Sequence, residues 1–192
     1  MKVLAVLAHD KQVCLNRFLF KHIINRFEKQ GHEVTKLDLY KHNRHIPFYT
    51  QAQKELSTTK TSLEEFEFFQ ESKKQFFDAD ILVICFPVYT FCMPGILKAW
   101  FDLVAGFALD ENGYNPNKQK HHIKKTFVVA TMGMPWIYKV LGTGNCLRKQ
   151  IKTIFRFVGI KKNLMYEITS VASVNKDNIN KHLKKIDALL GE

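Results

Sequence analysis

Apolar residues fall in two recurring rhythms along the chain. Short unbroken runs mark strands that are covered on both faces, and stripes at three- and four-residue spacing mark helices. "KVLAVLA" (Lys2 to Ala8), "DILVICF" (Asp80 to Phe86) and "TFVVATM" (Thr126 to Met132) are runs of the first kind. "EVTKLDL" (Glu33 to Leu39) alternates and predicts a more exposed strand; "NLMYEITSV" (Asn163 to Val171) predicts a fifth. Between them, Leu19, Ile23 and Phe27 stripe a helix from about Asn16 to Gln30, with Gly31 as its stop. Ser62 is placed to cap a second helix striped by Phe66, Phe69, Lys73 and Phe76. "PGILKAWFDLV" begins a third, with Pro94 in its first turn. Leu147, Ile151, Ile154 and Val158 mark a fourth, ended by Gly159, and Ile179, Leu183, Ile186 and Leu190 mark a closing helix. The polar stretch from Lys41 to Thr61 and the segment "DENGYNPNKQ" read as connections.

Strands alternating with helices predict an α/β three-layer sandwich with a parallel sheet. The flavodoxin-like arrangement, five parallel strands in the order 2-1-3-4-5, is the expected one, with residues 1–192 as one domain. That topology locates a ligand site in advance, outside the carboxyl ends of the strands where the strand order reverses. Three loops meet there: "HDKQVCLN", "PVYTFCMPG" and "GMPWIYKVLGTGN".

The balance of 29 basic to 18 acidic residues gives a net charge of +11, which favours anionic partners. No nucleic-acid-binding motif accompanies the charge, so nucleic acid is not an expected partner. Four cysteines without a C-x-x-C pair predict free thiols in a reducing compartment, hence the cytoplasm. The uncharged run from Ile81 to Leu97 is too short and too interrupted by Pro87, Pro94 and Gly95 to span a bilayer, so no stable membrane insertion is expected. His42 with His45, and His121 with His122, lack further ligands at useful spacing, and no metal site is expected.

The first loop precedes a helix, whose N-terminus favours a phosphate; His9, Lys11, Asn16 and Arg17 add donors and charge. The second carries Tyr89, Phe91 and Met93, which could flank a planar ligand, while Trp100 inside the helix reads as core. The third carries Thr131, a glycine at 133 that permits close approach, and Tyr138, whose hydroxyl can donate to developing negative charge. "GTGNCL" lacks the third glycine of a dinucleotide turn and reads as a flexible turn.

"VLAH" with Asn16 in the following turn, "FPVYTFCMPGILKAWFD", and "ATMG" followed by Tyr138 together resemble the NAD(P)H:quinone oxidoreductase family of flavoproteins. The resemblance spans nearly the whole chain, and its P-x-x-x-F-x-x-P-x-x-L-K-x-W-F stretch is the most specific part. It implies an enzyme that passes two electrons from NADPH or NADH through a bound flavin to a quinone or similar small-molecule acceptor. FAD is the flavin it favours, with FMN open. By matched position, His9, Cys14, Leu15 and Asn16 would hold the phosphate side. Pro87, Val88, Tyr89, Thr90 and Phe91 would run beside the isoalloxazine, and Thr131, Met132 and Gly133 would meet its pyrimidine edge. Tyr138 would be the catalytic side chain. The family works as homodimers, with Phe107 or Tyr114 here expected near the partner's site. The chain departs from the family where Gly144 replaces a histidine and where Leu109 and Glu111 replace two lid tyrosines. A flavodoxin-type electron carrier and a regulatory subunit of a membrane transport system are the alternative readings.

Overall fold

The computed structural model describes residues 1–46, 63–104, 121–142 and 144–191, with the side chains of 43–45, 63–66, 176 and 177 outside that description. The strands are β1 (Lys2–Leu7), β2 (Glu33–Asp38), β3 (Ile81–Pro87), β4 (Lys125–Thr131) and β5 (Lys162–Ile168). The helices are α1 (Leu15–Lys29), α2 (Leu63–Asp78), α3 (Gly95–Val104), α4 (Trp136–Leu141), α5 (Cys146–Phe157) and α6 (Lys176–Gly191). All strand pairs are parallel and the order is β2-β1-β3-β4-β5, as the alternation of strand and helix predicts.

The period of two along each central strand divides the core. Leu4, Val6, Leu82, Ile84, Phe86, Val128 and Ala130 face one layer, filled by Phe76 of α2, Leu97 and Trp100 of α3, and Leu147, Ile151 and Phe155 of α5. Val3, Ala5, Leu7, Val83, Cys85 and Val129 face the other, filled by Leu19, Ile23 and Phe27 of α1 and Ile186 and Leu190 of α6. Because both faces are covered, β1, β3 and β4 tolerate no polar alternation; each buried large apolar side chain contributes about 1.5–3 kcal/mol. Gly31 (φ 78°) and Gly159 (φ 88°) take the left-handed conformation that ends α1 and α5.

Three local differences from the sequence reading stand out. β5 stops at Ile168 instead of Val171, because Ser170 turns into the left-handed region (φ 52°) and starts a 3₁₀ turn, Val171–Ser173. A 3₁₀ segment, Leu39–His45, occupies the start of the expected polar connection. The third loop contains a short helix, α4, that its prolines and glycines conceal. Ser62, Phe107, Leu109, Glu111 and Tyr114 lie outside the described residues.

Candidate active site

The carboxyl ends of β1, β3 and β4 are joined to one another before any ligand is considered. The Ala8 amide donates to the Cys85 carbonyl (2.9 Å) and the Val88 amide to the Thr131 carbonyl (2.7 Å). Asn16, 1% exposed, donates from Nδ2 to Thr131 Oγ1 at 2.7 Å, linking the first loop to the third across 115 residues of sequence. Its Oδ1 is buried without a protein partner. A buried amide oxygen left in this state costs roughly 1–3 kcal/mol, so the position calls for a polar ligand or solvent group.

The first loop is held from behind by Arg17. Its guanidinium donates to Asp38 Oδ2 of β2 (2.6 Å), to the Lys11 carbonyl (2.7 Å) and to the His9 carbonyl (3.1 Å). Arg17 was expected to lend its charge to a phosphate; instead its charge is matched by Asp38 and its donors shape the loop. His9 is buried, and Nδ1 accepts the Lys11 amide at 3.1 Å. Burial lowers the His9 pKa, with Arg17 and Lys11 adding to the effect against the opposing pull of Asp10. Cys14 is the N-cap of α1 and makes no side-chain cap bond, so the first-turn amides keep their free donors, with Leu15 half-buried beside them.

The second loop folds into a tight turn. Tyr89 and Cys92 exchange both backbone hydrogen bonds (3.0 and 2.9 Å), and the two residues between them, Thr90 (φ 45°) and Phe91 (φ 66°), both lie in the left-handed region. That turn geometry normally takes Asn-Gly. A β-branched residue and a bulky aromatic there store about 1–3 kcal/mol each. The result of that strain is visible: Tyr89, Thr90 and Phe91 are lifted into solvent, while Pro87, Met93 and Trp100 are buried and Val88 is half-buried. The aromatic stretch thus divides into two exposed rings over the loops and a buried Trp100 that packs edge-on to Phe76. Tyr89 Oη donates to Asp10 Oδ1 at 3.2 Å, bridging loops one and two. Desolvation and the Asp10 charge push the Tyr89 pKa up to about 12. Cys146, at the start of α5, donates its thiol to the Phe91 carbonyl at 3.4 Å.

In the third loop Thr131 and Met132 are buried and Gly133 is exposed, with nothing within 4 Å of where a Cβ would stand. The Met132 amide is taken by the Ile168 carbonyl (2.8 Å), while the Cβ side of Gly133 is open. α4 then exposes Trp136, Ile137, Tyr138, Val140 and Leu141, and Tyr138 is 63% exposed. The helix is tied to the sheet by Lys139, whose Nζ donates to Glu167 Oε2 of β5 at 2.6 Å. Arg148 of α5 reaches the same oxygen at 2.9 Å. Glu167, its side chain 4% exposed, was not singled out by the sequence, since a lone glutamate in a strand carries no pattern. Among the described residues no group of His, Cys, Asp and Glu is arranged to hold a metal.

The helix start, the two raised rings and Gly133 lie on loops at the carboxyl ends of the strands where the strand order reverses, the place where open parallel sheets of this class receive ligands. The chain belongs to the family described as flavodoxin-like fold, whose model matches residues 1–190. It is 28% identical over 192 residues to an FMN-dependent NADH:quinone oxidoreductase of Coprothermobacter proteolyticus, covering 96% of this chain and 91% of that protein. It is 25% identical to a protein of the same description from Pelagibacter ubique, covering 94% of both. An NAD(P)H:quinone oxidoreductase from Methanothermobacter marburgensis superposes with a TM-score of 0.77 at 21% identity, covering 97% of this chain and 92% of that one; at this identity the likeness shows the fold.

Proposed function

We propose that the protein is a flavin-dependent NAD(P)H oxidoreductase whose electron acceptor is a quinone or a similar electrophile. The observation that carries the reading is the strained Thr90–Phe91 turn, which lifts two aromatic rings into solvent on a loop bonded to the first loop through Tyr89–Asp10 and to the third through Val88–Thr131. The two relatives named as FMN-dependent NADH:quinone oxidoreductases, matched over nearly their full length, support the same assignment. They also favour FMN over the FAD expected from the sequence, and NADH as the donor.

The residues present fit such a group. The first-turn amides of α1, with His9, Cys14 and Leu15 around them, would receive the phosphate, and the orphaned Asn16 Oδ1 would meet a ribityl hydroxyl or bound water. Tyr89 and Phe91 would lie against the ring system, with Pro87 and Val88 fixing the turn from below. Thr131 would act by orienting Asn16, Met132 by orienting the loop, and Gly133 by donating its amide. The chemistry supplied by a bound flavin is two-electron relay between a nicotinamide and an acceptor. Tyr138 would donate its hydroxyl to negative charge that develops on the bound ring, a bond stronger in the transition state than before it.

Tyr138 and its apolar neighbours on α4 are solvent-exposed in the single chain. A homodimer in which the partner covers this helix completes the site in the proposed reading, and a contiguous apolar patch of this kind is what subunit interfaces bury. A cytoplasmic setting is proposed alongside, supported by four free cysteines. The test is steady oxidation of NADH by the FMN-loaded protein with a water-soluble quinone. Turnover is expected with wild type, and Tyr138→Phe is expected to slow flavin reduction in stopped flow about tenfold, the worth of roughly 1.4 kcal/mol. FMN binding without NADH turnover would make the protein an electron carrier instead.

A further inference from the structure

The positive charge of the chain is not spread evenly. Of its 29 basic residues eleven lie between positions 112 and 166, where there is no Asp or Glu; the remaining 18 are matched by 18 acidic residues, so this segment carries the whole net charge of +11. The fold gathers the described part of it at the β4–β5 edge of the sheet. α5 turns Leu147, Ile151 and Phe155 to the core and exposes Arg148, Lys149, Lys152, Arg156 and Phe157. Arg148, Lys152 and Arg156 stand at four-residue spacing, one stripe along a helix about 18 Å long. The stripe continues into exposed Lys161 and Lys162, and Lys162 is the register partner of Lys125 on β4, two like charges on neighbouring strands. Glu167 engages Arg148 and Asp80 engages Lys124, but Lys149, Lys152 and Lys161 have no carboxylate partner among the described residues.

A soluble surface does not require this arrangement. Like charges this close repel one another, and mixed signs would solubilise the face as well. We propose that the α5 face, continued by Lys161 and Lys162, docks on an anionic membrane surface. The charge complements acidic phospholipid headgroups, each lysine near such a surface adding to affinity. Phe157, 48% exposed at the end of the stripe, supplies the aromatic side chain that settles at a lipid interface. The contact is peripheral: among the described residues no helix is long and apolar enough to cross a membrane. The face starts next to the third loop, where Lys149 Nζ lies 3.6 Å from where a Gly144 Cβ would stand, and runs away from the proposed site along α5 through Lys152 and Arg156 to Lys161. A flat stripe with no recognisable base-reading element favours lipid over nucleic acid.

The test is co-sedimentation of the FMN-loaded protein with phosphatidylcholine vesicles that contain or lack phosphatidylglycerol. Binding is expected to vesicles with phosphatidylglycerol only, and to weaken as salt is raised. The charge-reversed variant K152E/K161E, whose two positions lie away from the third loop, is expected to bind at least about tenfold more weakly. Its circular dichroism and FMN retention should match wild type, which separates this inference from the flavin assignment. Equal binding to neutral vesicles, or unchanged binding by the variant, would overturn the proposal. So would tighter binding to duplex DNA than to the acidic vesicles, or a variant whose oligomeric state differs from wild type, since the face would then serve nucleic acid or a second copy.

Discussion

The first and third loops leave β1 and β4, the two strands that flank β3, yet they are built in opposite ways. The first is fixed from within. Arg17 makes three bonds to its carbonyls and to Asp38, His9 is buried, and the loop would keep its shape with nothing bound. The third is tied down by the Lys139–Glu167 pair and by the Ser170 amide, which donates to the Met134 carbonyl (3.2 Å), and beyond Met134 it presents a row of bare apolar side chains. A site that must hold a cofactor tightly needs its phosphate end preorganised, because ordering a loop on binding subtracts from affinity. A site that must admit two substrates in turn can leave the opposite wall to a partner subunit. In the proposed reading, the difference corresponds to a retained cofactor at one end and exchanging reactants at the other.

Removing the internal brace of the first loop should have the largest effect. Arg17→Ala leaves the Asp38 carboxylate without its cationic partner at a position where both side chains are nearly buried. Global stability in urea is expected to fall by about 3 kcal/mol, with FMN lost on gel filtration. If Arg17→Ala keeps its flavin, the loop is not preorganised by that residue and the contrast collapses. The third loop should respond less. Glu167→Ala is expected to cost about 2 kcal/mol or less and to raise the KM for the acceptor while leaving FMN affinity near wild type. A matching loss of FMN would mean that both loops serve the cofactor.

Smaller still is the expected effect of relieving the second loop. Thr90→Gly removes the strain of a β-branched residue at φ 45° and should raise the melting temperature, a gain of about 1 kcal/mol after the entropy of the added glycine. The same change should weaken FMN binding, since the turn that positions Tyr89 and Phe91 becomes loose. The smallest effect concerns pH. His121 is buried, its Nε2 bonded to the Val158 carbonyl (2.7 Å) and its Nδ1 accepting the Ile123 amide (3.2 Å). Burial holds its pKa below the ordinary 6.5, so the native state binds fewer protons there than the unfolded chain. Its contribution is complete above pH 6.5 and is lost as pH falls toward the folded value. A urea midpoint that falls on acidification below 6.5 in wild type, and falls less in His121→Gln, is the expected result.

The sheet order was legible because short apolar runs at β1, β3 and β4, alternating with helical stripes, point to a parallel sheet covered on both faces. The position of the site followed from that order alone. Trp100 was separable from Tyr89 and Phe91 because it lies within a helical stretch, whereas Met93 was read with the two rings and is buried instead, since nothing in the sequence announces a turn at positive φ. No residue type announces that turn: Thr and Phe are the opposite of what such geometry prefers, and the strain is visible only in the backbone. The role of Arg17 was misjudged for a related reason. A basic residue at a helix start suggests an anion, and its partner Asp38 lies on another strand whose adjacency no local pattern encodes. Glu167 and α4 were missed because one is a single residue and the other hides among prolines and glycines.

In the proposed reading the three loops form one flavin site in each chain. It is tested most directly by titrating the flavin-free protein with FMN and following flavin fluorescence, for wild type and for His9→Ala with Asn16→Ala. Saturation at one FMN per chain is predicted, with the double variant still folded by circular dichroism and binding at least about tenfold more weakly. No saturable binding by wild type, or equal affinity in the double variant, would contradict the account.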